Sequence, residues 1–376
     1  MLVLYIDKLM FLQKLRLLNF RSYEDLSIAF PPQGALLEGV NGAGKSNLLE
    51  SIYLLCTGRS QRNASRSAMI RHDQENTFVE GEFCDGGGDR QTVTASLGFS
   101  RDKKIIMKRD GVAVNSFSEW FGERPVVSFG SDDLHLVYGA PETRRRFLDM
   151  LICQMDRAYM EALSRYRRSL ACRNALLGKS NDTVQFEIYE QEMAEAGAEL
   201  VFRRMEVTGK LSAHLHDFYA QISAEAESAQ LEYQPNFKCD FNGKSEWKNV
   251  YLSILGERRK KDCEHGFTAS GPHRDDLRFL LDRKLTKTFA SQGQCRSFAL
   301  SLKLGSVLLL EQHKQGSTMI FLIDDAVSEL DSGRTSRVYP LLEGRGQIFI
   351  ATPQCTVALR EQILKCRVEP GKVVVS

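Results

Sequence analysis

Gly39-Val40-Asn41-Gly42-Ala43-Gly44-Lys45-Ser46 is the stretch that decides the fold. It follows an apolar run at Ala35 to Leu37 and opens an apolar helix from Lys45 to about Cys56. This is the strand–loop–helix setting in which G-x-x-x-x-G-K-[ST] cradles phosphates. Glycines let backbone N–H groups turn inward without a Cβ in the way, and the helix N-terminus adds its positive end. The pattern predicts that Gly39, Val40, Asn41, Gly42, Ala43, Gly44 and Asn47 line the phosphates of ATP. Lys45 is expected to reach the β- and γ-phosphates and to act in catalysis, and the Ser46 hydroxyl to ligate Mg²⁺.

The other half of such a site lies far downstream. Met319-Ile320-Phe321-Leu322-Ile323 reads as a buried strand ending in Asp324-Asp325. A carboxylate at the end of a strand beside a phosphate loop holds Mg²⁺ through its waters, the role expected of Asp324. Asp325 is then placed to polarise an attacking water as general base. Ala290-Ser291-Gln292-Gly293-Gln294 precedes another apolar helix, Ser297 to Gln312. That makes a second helix-terminus anion site in a chain that already has its phosphate loop. The set resembles the ABC-type ATPases, in which such a signature segment contacts the γ-phosphate bound to the opposite subunit. Ser328-Glu329-Leu330-Asp331 follows the acidic pair at the spacing of their D-loop. The resemblance implies that Ser291, Gln292, Gly293, Gln294 and Asp331 complete the ATP site of a homodimer. A P-loop kinase has no use for either motif.

Outward from these motifs, residues 12–38 read as strands at Leu12 to Phe20, Leu26 to Phe30 and Ala35 to Leu37. Further strand-like runs follow at Thr77–Cys84, Thr92–Phe99 and Ile105–Lys108. From Pro141 apolar residues recur every three or four positions, from Phe147 to Leu170 and again from Tyr189 to Phe218. This predicts an αα-hairpin with arms of roughly 50 Å, far short of a long coiled-coil arm. After about residue 265 α/β character returns, with strands at Gln347 to Ala351 and Val368 to Val375. The expected architecture is α/β: an ABC-type P-loop ATPase head of mixed sheets and helices, 1–140 with 265–376, carrying a mostly helical insert, 141–264.

Composition narrows the class. The 376 residues are 43% hydrophobic and 26% charged, an ordinary globular mixture. A net charge of only +2 leaves any nucleic-acid surface to local clusters. The nine cysteines include no CxxC pair, against a zinc ribbon and in favour of reduced thiols in a cytoplasmic protein. The apolar start Met1 to Ile6 breaks at Asp7 and Lys8, too short for a membrane span. Met10 opens a more natural strand, so residues 1–9 read as an extension ahead of the fold.

Several longer stretches together resemble the RecF family of DNA replication and repair proteins. They are Asn19-Phe20-Arg21-Ser22-Tyr23, Gly39 to Glu50, Gly58-Arg59-Ser60-Gln61-Arg62, Gly139 to Asp149, Gly271-Pro272-His273-Arg274-Asp275-Asp276-Leu277 and Ala290 to Gln294. The resemblance spans nearly the whole chain. It implies a head like that of SMC-type ATPases, an ATP-dependent homodimer, and slow ATP hydrolysis that times release from DNA at gaps and duplex–single-strand junctions. It also implies action with RecO and RecR to help RecA load. Two departures stand out. Asp325 stands where many ABC ATPases have glutamate, and Thr352 occupies roughly the place of the switch histidine of transporters. The missing histidine and the helical hairpin argue against the energy-coupling subunit of a transporter.

Candidates for DNA phosphate contacts are clustered Lys and Arg. Arg59, Arg62 and Arg66 follow the phosphate-loop helix, and Arg165 and Arg168, with Arg167 and Arg173, lie on the first long helix. Lys103, Lys104, Lys108 and Arg109, and the run Arg258 to Lys261, are further basic clusters. No base-reading constellation is present, which predicts structure- or backbone-directed binding.

Overall fold

The computed structural model describes residues 10–84, 92–178, 183–223, 227–238, 243–313, 318–324, 337–338, 340–353 and 363–375. Residues 1–9, Asp325 and the stretch from Ser328 to Asp331 lie outside the described residues. The chain divides into two compact units. The first comprises Met1–Asp133, Gln221–Ser223 and Ser306–Ser376, and the second Leu134–Ala220 and Ala224–Gly305.

Alternation of side chains builds the first sheet of unit 1. In β1 (Phe11–Phe20) Leu12, Leu15, Leu17 and Phe20 are buried, with exposed Gln13, Lys14 and Arg16 among them. β1 pairs antiparallel with β2 (Tyr23–Ala29), setting Leu17 against Leu26, and with β4 (Asn76–Cys84) on its other side. β5 (Thr92–Ser100), β6 (Ile105–Arg109) and β7 (Val112–Ala113) extend the sheet to the order β2-β1-β4-β5-β6-β7. The second sheet, closed at one edge by β15 (Lys372–Val375), has the order β15-β14-β3-β13-β12-β8. β3 (Gly34–Glu38), β8 (Val126–Gly130), β12 (Met319–Asp324), β13 (Gly346–Thr352) and β14 (Leu364–Glu369) run parallel. Their near-continuous apolar runs, such as the buried Met319 to Ile323, are those of strands covered on both faces.

Helix α1 (Lys45–Thr57) sinks Leu48, Leu49, Ile52, Leu54 and Leu55 into the core that both sheets share. Each such side chain contributes about 1.5–3 kcal/mol of hydrophobic stabilisation. Fully buried Gln347 stitches the sheets together. Its amide donates to Leu12 O and Pro31 O, both at 2.9 Å, and accepts from Leu12 N at 2.9 Å. Two short helices, α2 (Arg66–Met69) and α3 (Phe117–Trp120), complete this part of the unit. The C-terminal run expected as one strand is a hairpin. β15 (Lys372–Val375) folds back on β14 through a turn at Gly371, whose φ is 75°.

Unit 2 opens with α4 (Leu134–Tyr138) and α5 (Pro141–Met155), with Pro141 in the first turn, where its missing N–H costs nothing. The first arm of the expected hairpin is not one helix. It breaks at Asp156, whose backbone is extended (φ −136°, ψ 107°) and whose carboxylate accepts from Tyr159 N, capping α6 (Arg157–Leu176). The apolar period runs on across the break, so periodicity alone conceals it. The second arm is α7 (Thr183–Ser223), one helix of 41 residues.

α8 (Lys244–His265) follows, with Trp247, Tyr251 and Leu255 forming its buried stripe. The expected boundary at residue 265 is also displaced. β9 (Ala229–Gln234) pairs along its full length with β10 (Asp276–Leu281), and β11 (Lys284–Leu285) adds to the same small sheet. Residues up to Gly305 therefore cohere with unit 2 and not with the head. α9 (Thr286–Phe289) and the start of α10 (Gln292–His313) close the unit. Among the described residues no helix is long and apolar enough to cross a membrane.

Candidate nucleotide site and signature segment

The phosphate loop leaves β3 at the C-terminal edge of the parallel sheet, where open α/β sheets bind their ligands. Gly44 holds φ 113°, a left-handed conformation, and a Cβ there would lie 2.9 Å from Ser22 Oγ and 3.0 Å from Tyr23 Oη. Only glycine meets both demands. The Lys45 ammonium donates to Gly39 O at 2.7 Å and Val40 O at 3.1 Å, curling the loop around its own cation. Asn47 N and Leu48 N donate to Gly44 O at 2.9 and 3.1 Å, so the N–H groups of Lys45 and Ser46 are the ones that open α1 without a helical acceptor.

The structure brings the two expected metal ligands together. Ser46 Oγ donates to Asp324 Oδ1 at 2.7 Å, joining positions 278 residues apart in sequence. Register explains it: Asp324 lies opposite Ala351 on β13, and the next residue, Thr352, lies opposite Glu38 at the end of β3. One hydroxyl and one carboxylate at a helix N-terminus are hard oxygen donors that suit Mg²⁺, which keeps several waters and takes few protein ligands.

Arg62, a candidate DNA contact, is exposed and also reaches this site, with Nη2 3.3 Å from Asp324 Oδ2. Arg66 lies over the Phe117 ring at 5.6 Å, and Arg59 is exposed.

Behind the loop stands a brace that the motif reading missed. Glu50 is fully buried and takes a bidentate pair from Arg21, Nε at 2.9 Å and Nη2 at 3.1 Å. Ser60 Oγ donates to the same carboxylate, and Asn47 Nδ2 donates to Ser22 Oγ at 3.1 Å. Tyr23 Oη donates to Gly44 O at 3.1 Å. The stretches Asn19–Tyr23, Gly39–Glu50 and Gly58–Arg62 are thus one mechanical unit that fixes α1. A carboxylate inside an otherwise uncharged helix after Lys45 was the available signal.

In unit 2 the signature segment is a helix N-terminus held by side chains. Ser291 caps α10: Gln294 N donates to Ser291 Oγ at 3.2 Å, while Ser291 N donates to Gln294 Oε1 at 2.6 Å. This reciprocal capping box leaves Ser291 and Gln292 exposed. The motif stretches Gly139–Asp149 and Gly271–Leu277 also meet. Arg144 forms a bidentate pair with Asp276 (2.7 and 2.9 Å), and Arg145 donates to Asp275 O at 2.6 Å. Buried Arg204 binds Asp149 at 2.8 Å and Pro272 O at 2.8 Å. These arginines therefore hold unit 2 together internally. His273 is structural too. Its Nδ1 accepts from Tyr166 Oη at 2.7 Å and its Nε2 donates to Thr268 O at 2.9 Å, while burial lowers its pKa to about 4.

Of the basic residues expected on the first long helix, Arg165 pairs with Glu192 at 3.1 Å and Arg168 is exposed. Arg173 is a correction. It is fully buried, bonded to Glu190 at 3.0 Å and Asp262 at 2.8 Å, and cannot face DNA.

Comparison with known proteins decides the family. The chain is 35% identical over 380 residues to the DNA replication and repair protein RecF of Ligilactobacillus salivarius (strain UCC118), with 97% of both chains covered. The chain belongs to the RecF family. A solved structure of the recombination mediator protein RecF with ATP, in the RecFOR pathway, superposes with a TM-score of 0.90 at 28% identity over 98% of each chain. The Smc head domain of Pyrococcus furiosus shares the fold, with a TM-score of 0.53 and 17% identity, covering 98% of this chain and 96% of that one. The AAA domain family matches residues 14–146, which contain the phosphate loop. As in the RecF family, the head is an ABC-type ATPase fold, here with α5 to α7 in place of a long coiled coil.

Proposed function

We propose that this chain is an ATP-driven DNA clamp of the RecF family, closing as a homodimer around two ATP molecules and reopening on slow hydrolysis. The observation that carries the reading is the 2.7 Å contact between Ser46 and Asp324, which joins the two halves of a Mg²⁺–nucleotide site. Mg²⁺ bound there would neutralise charge on the β- and γ-phosphates.

In this reading the first-turn N–H groups of α1 bind the phosphates, and Lys45 exchanges its loop carbonyls for phosphate oxygens. Asp325 orients the attacking water as general base. Ser291, Gln292, Gly293 and Gln294 of one copy, with Asp331, complete the phosphate site of the other. DNA is held through its backbone, with Arg59, Arg62, Arg66, Arg165 and Arg168 as candidate contacts, at gaps and duplex–single-strand junctions. RecR with RecO, and indirectly RecA, are the expected partners, and the setting is cytoplasmic.

Light scattering of the purified chain tests the clamp, with and without Mg-ATP and duplex DNA, using Asp325→Asn to hold the bound state. A monomer that becomes a dimer only with ATP, and is retained by DNA, is the expected result. A monomer under every condition overturns the reading. Ser291→Arg should bind ATP normally yet stay monomeric, because bulk enters the phosphate site presented to the partner.

A further inference from the structure

The signature helix does not end its hydrogen-bond chain at its own cap. Gln294 donates through Nε2 to Glu227 Oε1 at 2.5 Å, and Tyr219 Oη donates to Glu227 Oε2 at 2.7 Å. Glu227 lies in the short connection between α7 and β9, 67 positions before Gln294. Tyr219 is fully buried in α7. The tyrosine fixes one carboxylate oxygen, and the other fixes the Gln294 amide nitrogen. That orientation turns Gln294 Oε1 towards Ser291 N, and the Gln294 backbone N–H holds Ser291 Oγ. Ser291 Oγ is thereby used as an acceptor from within, which leaves its hydroxyl hydrogen available as a donor to a phosphate oxygen.

We propose that Glu227, seated by Tyr219, is the positioning residue of the signature segment: it locks Gln294 and so aims the Ser291 hydroxyl at the phosphate of a second copy's nucleotide. The inference rests on the reading of that segment as the part of the site supplied across the dimer. The capping box already draws Gln294 Oε1 to Ser291 N, and a carboxylate on the amide nitrogen adds a charge-assisted bond that holds the same orientation from outside the helix. Glu227 touches no substrate in this arrangement. Its effect runs through Gln294.

Two readouts separate the relay from the dimer reading. Amide hydrogen exchange of the full chain without nucleotide reports the relay alone. The protein concentration giving half-dimerisation in Mg-ATP reports its use. Glu227→Ala should speed exchange at Ser291 and Gln294 by about tenfold or more and raise the half-dimerisation concentration by about tenfold, as loss of one charge-assisted bond implies. Binding of ATP to the monomer should stay within about twofold, since the relay lies outside the phosphate loop. Glu227→Gln, whose carboxamide oxygen still accepts from Gln294, should restore both readouts. Tyr219→Phe, which deletes one hydroxyl and keeps the packing, should shift both in the same direction by less, and it serves if Glu227→Ala folds poorly. Unchanged exchange in Glu227→Ala, or a Glu227→Gln protein as defective as Glu227→Ala, overturns the proposal. Faster exchange in a protein whose wild type never dimerises supports the relay and sinks the dimer reading instead.

Discussion

The two units each hold a helix start of the candidate site, and by different means. In unit 1 the phosphate loop rests first on backbone, a left-handed Gly44 and parallel strands in register, with the Lys45 ammonium clamped on Gly39 O and Val40 O and the Arg21–Glu50 brace behind it. The core under it is aliphatic and aromatic, from Leu12 to Val368. In unit 2 the signature segment is set by side chains: Ser291, Gln294, Glu227 and Tyr219. Elsewhere unit 2 is threaded by buried charge, with Arg204 on Asp149 and Arg173 on Glu190 and Asp262. A site built from polar side chains depends on every partner being present, since half of such a network is worse than none.

The largest expected effect tests that dependence. Arg204→Ala takes the buried cation from Asp149, leaving that carboxylate only Tyr159 Oη and the exposed Arg167, and should destabilise unit 2 by up to about 3–5 kcal/mol. The chain has two tryptophans, Trp120 in unit 1 and Trp247 in unit 2, both buried, so a Trp120→Phe background makes fluorescence-monitored urea unfolding specific to unit 2. Pairing Arg204→Met with Asp149→Leu should recover much of the loss, because well-packed apolar groups replace a buried ion pair at little cost. A loss below about 1 kcal/mol for Arg204→Ala would break the contrast between the units, since ordinary surface changes reach about 0.5 kcal/mol.

Next in size is the phosphate cation. Lys45→Ala removes a charged hydrogen-bond donor to phosphate worth about 1.5–3 kcal/mol, so ATP affinity should fall roughly 10–100-fold. Titration with a fluorescent ATP analogue measures it, and circular dichroism should show the fold intact. Wild-type affinity in Lys45→Ala would mean that backbone N–H groups alone carry the phosphate.

The same contrast explains what was legible in the sequence. β1, β2, β3 and α1 fall where alternation and the Gly-rich turn put them, and Asp324 falls at a strand end because a run of five apolar residues points to it. Residues that act through backbone leave local patterns. Glu50, Glu227 and Arg62 leave none that names their partners. Their meaning lies in contacts with Arg21, Gln294 and Asp324, the last 262 positions away. Arg173 was misread for the same reason, since a basic residue on a helix with few carboxylates looks exposed until Glu190 and Asp262 arrive from other helices. α8 went unread although Trp247, Tyr251 and Leu255 recur every fourth position, because charged residues crowd the turns between them. At Asp156 the apolar stripe continued through a capping aspartate, and periodicity outvoted the cap.

The smallest expected effect is a pH signature confined to unit 2. His273 is neutral where it is buried, its pKa lowered from 6.5 to about 4 chiefly by loss of water around the ring, with the nearby charges of Arg274, Arg145 and Arg204 acting in the same direction. Its hydrogen bond to Thr268 O opposes the shift but does not overcome it. The unfolded chain therefore binds the proton first, and stability rises with pH wherever it does so. The contribution is fully present above the unfolded value of 6.5 and is lost as pH falls towards about 4. Between pH 7 and pH 5 the loss should be about 1–2 kcal/mol. His273→Gln has no proton to gain, so the difference in unfolding free energy between wild type and variant should shrink over that interval. The Trp247 signal should record the change, because His273 belongs to the same unit, and a wild type and variant that run parallel from pH 7 to pH 5 would show that Tyr166 and Thr268 hold the ring equally well in its charged form.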